Sequence, residues 1–495
     1  MTDFSCLVKK HGRHHIELKS SLPVPQEGKG RYDLNFYFFS PAQLRFTKET
    51  IGTQKVLSNI QTYTRFSSPA LPFSALADPD CELSPLNRLG SFLRMVGKAE
   101  PIDNKDLVYE LQTLVNSFQG EMKSFTELLE QQLSENPEDL TLYERRIRKS
   151  LKQTRKILHT LRNFFPRFLD QRIDDNTRTA LFWADEALGI ISIKNAVKIH
   201  YLIEEYSTHT KLIEELQEFV NQEHEYRLER KYQTALAEPQ SSKLKERLAY
   251  RESILKKWAQ SAMYMKCIES RIPRNLGHIL AGLAAAAAMT LAVLAAVYAE
   301  KVFLKNTTPW ALIIILAYVF KDRTKEILRE AFGKLLPKMA ADKIFKLIDP
   351  STGKIAARSQ VIVRFSKENK QSDEIRATRD LGQNPFYSIL PSENVFHFHR
   401  YISLNTKLLR AAHLRHDSIT EITRFRLDDY LKEMDDPEDI SYKLIEGKRK
   451  RVSGNRVYHL HLVAALKEDS KNAAPRLFHY CLIMNRTGIL RVENR

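Results

Sequence analysis

Two short stretches place histidines where a metal ion would take them. Phe396-His397-Phe398-His399 and Tyr458-His459-Leu460-His461 each alternate histidine with an aromatic or aliphatic residue, and on a strand such alternation puts both histidines of a pair on one face. Two such pairs on neighbouring strands, with His479, His416 or Asp417 nearby, make an imidazole-rich set of the kind that holds Zn²⁺. His397, His399, His459 and His461 are thus the candidate metal ligands, and a membrane-tethered metal-dependent enzyme is one reading of the chain. The same alternation equally describes the half-wet face of a sheet that binds nothing. No GxSxG, HExxH, GxGxxG or kinase signature accompanies it. Ser351-Thr352-Gly353-Lys354 lacks the upstream glycine of a phosphate-binding loop and reads as a turn after Asp349-Pro350. The main expectation is therefore a chain without catalytic residues and without a bound cofactor.

The histidines lie in residues 358–495, where runs rich in β-forming residues recur between turns, at 360–365, 395–402, 419–427, 440–445, 456–465, 476–484 and 489–492. That spacing predicts an antiparallel β-rich domain. The C-terminal part is also the basic one. Residues 321–495 carry 34 Lys plus Arg against 23 Asp plus Glu, an excess of 11 out of the chain's total of +17. Lys448, Arg449, Lys450 and Arg451, followed by Ser453-Gly454-Asn455, read as a basic hairpin tip that meets anionic lipid headgroups. Nucleic acid is the less favoured partner, because the chain has no aromatic-and-basic motif of a known reader.

Upstream, residues 1–100 are mixed. Runs at 15–19 and 34–39 read as two short strands, and since a lone hairpin is marginal in water they need another sheet, for which the C-terminal domain is the nearest candidate in composition. Residues 103–272 turn helical. Leu107, Leu111, Leu114, Phe118, Met122, Phe125 and Leu129 recur at spacings of three and four, which lines one face of a long helix. Four further helical stretches follow, with breaks expected at Asn136-Pro137, Pro166, Asp174-Asp175 and Pro239. The result is a helical bundle, free to bind protein partners or to pack only on itself.

Between the two halves the composition changes. Residues 275–299 contain no charged side chain, and the run is long enough to cross a hydrocarbon core of ~30 Å. A second apolar run, 308–320, ends at Lys321, so residues 275–320 predict a transmembrane helical hairpin. Gly277, Ala281, Ala285, Ala288 and Ala292 supply small residues for close helix packing, against the second span, against another copy of the chain or against another membrane protein. Lys and Arg cluster before the first run and after the second, which places both termini in the cytoplasm. Residues 321–347, with Leu328, Phe332, Leu335 and Leu336 on one side and basic residues on the other, read as an amphipathic helix at the membrane surface. No leader with a basic start and an apolar centre opens the sequence. Cys6, Cys81, Cys267 and Cys481 have no metal or CxxC spacing, as suits reduced domains.

The expected fold is an α+β membrane protein: a cytoplasmic α-helical bundle, a two-helix transmembrane hairpin and a C-terminal antiparallel β-rich domain. The expected function is that of an inner (plasma) membrane protein, multi-pass, acting as an anchored scaffold or signalling and assembly component. The alternatives are the metalloenzyme and a subunit of an oligomeric pore, since a single hairpin encloses no channel.

Overall fold

The protein is described here from a computed structural model, in all residues but 1–3, 27–29, 69–70, 79, 99–102, 136–139, 170–172, 207–209, 234–241, 271, 305–306, 340, 381–390 and 469–473. The helix breaks expected at Asn136-Pro137 and Pro239 lie outside the described residues. The chain opens with strands β1 (Ser5–His11), β2 (His15–Pro23) and β3 (Arg31–Ser40), helix α1 (Thr53–Ser58) and strand β4 (Ile60–Phe66). Helices follow: α2 (Phe73–Leu76), α3 (Pro85–Gly97), α4 (Asn104–Glu135), α5 (Leu140–Leu169), α6 (Asp175–Tyr206), α7 (Thr210–Glu229) and α8 (Ser242–Ser261). A four-residue strand, β5 (Lys266–Glu269), precedes two long helices, α9 (Ile272–Val302) and α10 (Thr308–Met339). The remainder is β6 (Lys343–Ile348), β7 (Ile355–Lys367), α11 (Asp373–Asp380), β8 (Asn394–Leu404), α12 (Thr406–Ala412), β9 (Ser418–Arg426), α13 (Asp428–Leu431), β10 (Glu438–Ile445), β11 (Lys448–Asn455), β12 (Tyr458–Glu468), β13 (Arg476–Asn485) and β14 (Gly488–Asn494).

The strands form two large antiparallel sheets and one isolated ribbon. The larger sheet has the order β14-β13-β12-β3-β8-β7-β6-β5, the smaller β1-β2-β9-β4, and β10 pairs only with β11. N-terminal and C-terminal strands thus share both sheets: β3 inserts between β8 and β12, and β9 sits between β2 and β4. Alternation explains which side faces in. On β3, Leu34, Phe36 and Phe38 are buried while Asp33, Asn35 and Tyr37 are half-buried on the opposite side. The inward faces of the two sheets meet in one core, where Phe38 stacks on Phe396 at 4.3 Å and the ring of Phe425, from the smaller sheet, packs edge-on to Phe398 at 5.2 Å.

A buried ion pair spans this sandwich. Arg400 on β8 is the largest fully buried side chain, and its guanidinium lies 2.7 Å from the carboxylate of Glu421 on β9. Arg400 Nε also donates to Ser359 Oγ at 3.0 Å, and Thr64 donates to Glu421 at 2.6 Å. Burial pushes the Glu421 carboxyl up to about 7, against the pull of Arg400.

The second core belongs to the helices. The α4 stripe faces inward at Leu107, Leu111, Leu114, Phe118, Met122 and Leu129, against α3, α6 and α8. Salt bridges cross the bundle between helices: Arg162 of α5 reaches Asp185 of α6 at 2.9 Å and Glu223 of α7 at 2.6 Å, and Arg251 of α8 pairs with Glu186 of α6. Pro166 does not end its helix: α5 continues past it to Leu169.

The fold corrects the sequence reading at the membrane segment. It is an α+β fold with large antiparallel sheets, but it does not contain a two-helix transmembrane hairpin. Among the described residues one helix is long and apolar enough to cross a bilayer, Ile279–Val302 of α9, with 24 residues. The second apolar run is only 308–320, about 20 Å at the helical rise, and α10 then continues without a break as a charged helix to Met339. Residues 321–339 are therefore the continuation of α10, and residues 343–348 are a strand. The bundle does not run straight into α9 either, because β5 intervenes.

Removing one member of the buried pair strands the other in the core, which costs about 3–5 kcal/mol. Glu421→Ala should lower the urea midpoint markedly, whereas Arg400→Met/Glu421→Leu should lower it less than the single substitution. A single variant as stable as wild type would show that the pair does not brace the sandwich.

Candidate functional site

The feature that stands out from the two packed cores is the α9–α10 hairpin. Its two feet are neighbouring strands of one sheet: β5 pairs antiparallel with β6, Glu269 opposite Phe345 and Lys266 opposite Ile348, and Ser270 N donates to Ile344 O at 2.7 Å. The chain leaves the sheet edge, runs out along α9 and returns along α10, and the two helices pack on each other. Small residues allow the close approach. Ala284, Ala288 and Ala299 are buried, and Ala281, Ala285 and Ala292 are half-buried. Gly277 lies in α9 where surroundings are outside the described residues.

The other faces of the hairpin are apolar and uncovered. Leu283, Met289, Leu291 and Leu294 on α9 and Leu312, Ile315, Val319 and Phe320 on α10 are exposed, Leu294 at 60%, Ile315 at 63% and Phe320 at 67%. Lys321 closes this section, its ammonium 3.8 Å from the centre of the Tyr318 ring, and Asp322, Arg323, Lys325 and Glu326 follow on the surface. Contiguous exposed apolar surface of this extent marks a membrane or protein contact.

The histidine pairs are not neighbours. β3 stands between β8 and β12, so that His397 lies opposite Tyr37 and His461 opposite Phe39, two residues further along. His397, His399 and His461 each have their own partner. His397 stacks on Tyr37 at 4.3 Å and its Nε2 lies 2.9 Å from Asn35 Oδ1, while His399 Nε2 lies 2.7 Å from Asp33. His461 Nδ1 is 2.9 Å from His479 Nε2, and His459 is exposed. Among the described residues no group of three or more His, Cys, Asp or Glu is arranged to hold a metal ion. Burial, helped by His399 and Arg364, pushes His397 down to about 4; burial, Arg379 and Arg495 do the same for His479. Both shifts favour the neutral imidazole at His397 and His479.

Lys448, Arg449, Lys450 and Arg451 lie along β11, not at a tip. The turn is Glu446-Gly447, both with positive φ (54° and 72°), the backbone of a tight hairpin turn. Ser453-Gly454-Asn455 form the far end of the strand.

A buried polar cluster joins the bundle to the sandwich. His413, just after α12, donates from Nε2 to the Asp349 carboxylate at 2.9 Å, and its Nδ1 lies 3.1 Å from the Tyr109 hydroxyl of α4; the Phe66 ring packs tilted against it at 4.1 Å. Beside it Arg415 pairs with Glu110 at 2.6 Å. Against the upward push of burial, hydrogen bonds from His413, Thr352 and the Ser351 backbone hold the Asp349 carboxyl well below the usual range. Its members are 64 to 305 residues apart in the chain, so only the Asp349 turn was visible locally. Comparison with family models, curated proteins and solved structures finds no match for this chain.

The neutral histidines set a pH dependence. In the unfolded chain they take up protons near 6.5, in the fold only near 4, so their stability is fully present above about 6.5 and falls as pH drops from there towards 4. Urea midpoints at pH 7 and pH 5 should differ less in His397→Gln/His479→Gln than in wild type; an equal difference would place the acid sensitivity elsewhere.

Proposed function

We propose that this protein is a bilayer-attached assembly component, held to the membrane by the α9–α10 hairpin, with the helical bundle left to meet other proteins. The observation that carries the reading is the pairing of β5 with β6 beneath two helices whose apolar side chains are uncovered. α9 alone passes the length and composition test for a span, yet it cannot cross by itself, because its chain must return to the strand beside the one it left. The hairpin therefore meets lipid from one face of the bilayer, without crossing it as two spans. In lipid there is no hydrophobic drive between helices, so the buried alanine seam, which lets the backbones approach, suits that environment.

The base of the hairpin carries the charge that belongs beside a bilayer. Lys321, Arg323, Lys325 and Arg329 follow the apolar section of α10, and Lys266, Lys343 and Lys346 flank the feet. Basic residues next to membrane segments favour the cytoplasmic side, which puts both sheets and the bundle there. On the bundle, an open groove between α6 and α7, lined by Val197, His200, Tyr201, Leu216 and Val220, supports the partner-binding part of the reading.

The attachment is tested with point variants that leave the packed cores alone. Leu294→Glu/Ile315→Glu changes two exposed side chains, one on each helix at similar distance from the turn. Wild type should float with phosphatidylcholine vesicles in a density gradient, and the variant should stay in the dense fractions with an unchanged circular dichroism spectrum. Equal flotation of the two would overturn the hairpin as the attachment site.

A further inference from the structure

Among the described residues, the β10–β11 ribbon is also left uncovered. Every residue of β10 and β11 is exposed except Val452, which is half-buried. A two-stranded ribbon alone is marginal in water, and this one exposes Tyr442 at 79% and Leu444 at 73%, with Ile440 and Ile445 also open. The register sorts its side chains. Ile440, Tyr442 and Leu444 share a face with Arg451, opposite Tyr442, and Arg449, opposite Leu444. The second face sets Lys443 directly opposite Lys450 and Ile445 opposite Lys448.

Like charges directly opposite one another on a ribbon are unfavourable, so the Lys443–Lys450 pair gains from an anion outside the chain. From Lys443 to Arg451 there are five cations and one carboxylate, Glu446 in the turn. None of the five has a carboxylate partner among the described residues.

The position of the ribbon decides which anion. β11 leads directly into the start of β12, and the register carries that end across the sheet: His461 is opposite Phe39, Ser40 opposite Asn394, and Lys367 opposite Asn394. Lys343, the first residue of β6, lies opposite Val361 with the rest of β7 running on towards that same end, and β5 finishes there too. The apolar hairpin and the basic ribbon therefore leave the same end of the eight-stranded sheet.

We infer that the β10–β11 ribbon is a second membrane contact that binds the phosphates of anionic lipid headgroups, with Lys443, Lys448, Arg449, Lys450 and Arg451 on the phosphates and Tyr442 and Leu444 at the interface. The inference rests on the membrane reading of the hairpin. A bilayer offers both surfaces at once, acyl chains to α9–α10 and headgroup charge to the ribbon, and each Lys or Arg near an anionic surface adds to the binding. Amphipathic rings such as Tyr442 favour the interface.

The test uses the full chain with phosphatidylcholine vesicles, with and without phosphatidylglycerol, and a variant with Lys443, Lys448, Arg449, Lys450 and Arg451 all changed to Gln. Wild type should bind the anionic vesicles at least about tenfold more tightly, an advantage that shrinks as salt screens it. The variant should lose that advantage and keep wild-type flotation on neutral vesicles. A Trp placed by Tyr442→Trp should shift its emission to the blue on anionic vesicles. An unchanged anionic preference in the variant would overturn the inference. So would tighter, ribbon-dependent binding to duplex DNA than to anionic vesicles at equal phosphate, which would assign the ribbon to nucleic acid. Failure of the hairpin reading is separable, because it removes flotation on neutral vesicles and leaves the charge effect to be read on anionic ones.

Discussion

Four residue pairs between β5 and β6, from Lys266–Ile348 to Glu269–Phe345, hold the two ends of the α9–α10 hairpin side by side and so constrain the proposed membrane contact. They hold the start of α9 and the end of α10 on adjacent strands, so whatever the hairpin enters, it enters and leaves from one side. Hydropathy alone would allow α9 to act as a single crossing helix. The sheet does not, because a lone crossing would pull its two feet to opposite faces of the bilayer. The same pairing ties the hairpin to the sandwich core, since Met263 and Met265 just before β5 are buried in it and Met265 N donates to Thr64 O at 2.9 Å.

Buried polar contacts then make one body of parts built from distant stretches. Arg400 and Glu421 join the two sheets through an otherwise apolar core of aliphatic and aromatic side chains. A buried charge is expensive unless paired and hydrogen-bonded, and here Ser359 and Thr64 supply the added bonds. Glu110 and Tyr109 of α4 hold Arg415 and His413 of the sandwich, and His413 holds Asp349, the residue after β6. Contact is therefore continuous from α4 of the bundle to Asp349 just after β6, the strand that follows α10. Among the described residues, the long helices of the bundle and the foot of the hairpin are linked by hydrogen bonds at each step.

Local patterns in the sequence carried much of this. The α4 stripe from Leu107 to Leu129 is buried as its spacing predicts except at half-buried Phe125, and the alternating runs at 360–365, 395–402 and 476–484 fall within β7, β8 and β13. What alternation does not encode is the neighbour. β3 pairs with β8 and β12 over more than 350 residues of intervening chain, and that insertion is what separates the two histidine pairs. β5, with four residues, is too short to show a period, yet it decides the topology of the hairpin. The basic run Lys448 to Arg451 was conspicuous by composition, but the positive φ of Glu446 and Gly447 put the turn ahead of it. The count of membrane spans failed for a simpler reason: the thirteen apolar residues of α10 stand at the head of a helix that becomes charged for the rest of its length.

The most direct measurement replaces residues 272–341 with a short glycine-containing turn, which the pairing of β5 and β6 should accept as an ordinary hairpin, and follows vesicle flotation on neutral phosphatidylcholine. The shortened chain is expected to keep the thermal unfolding transition of the sandwich and bundle and to remain in the dense fractions, while the full chain floats. Undiminished flotation of the shortened chain would contradict the account, because the membrane contact would then lie outside the hairpin.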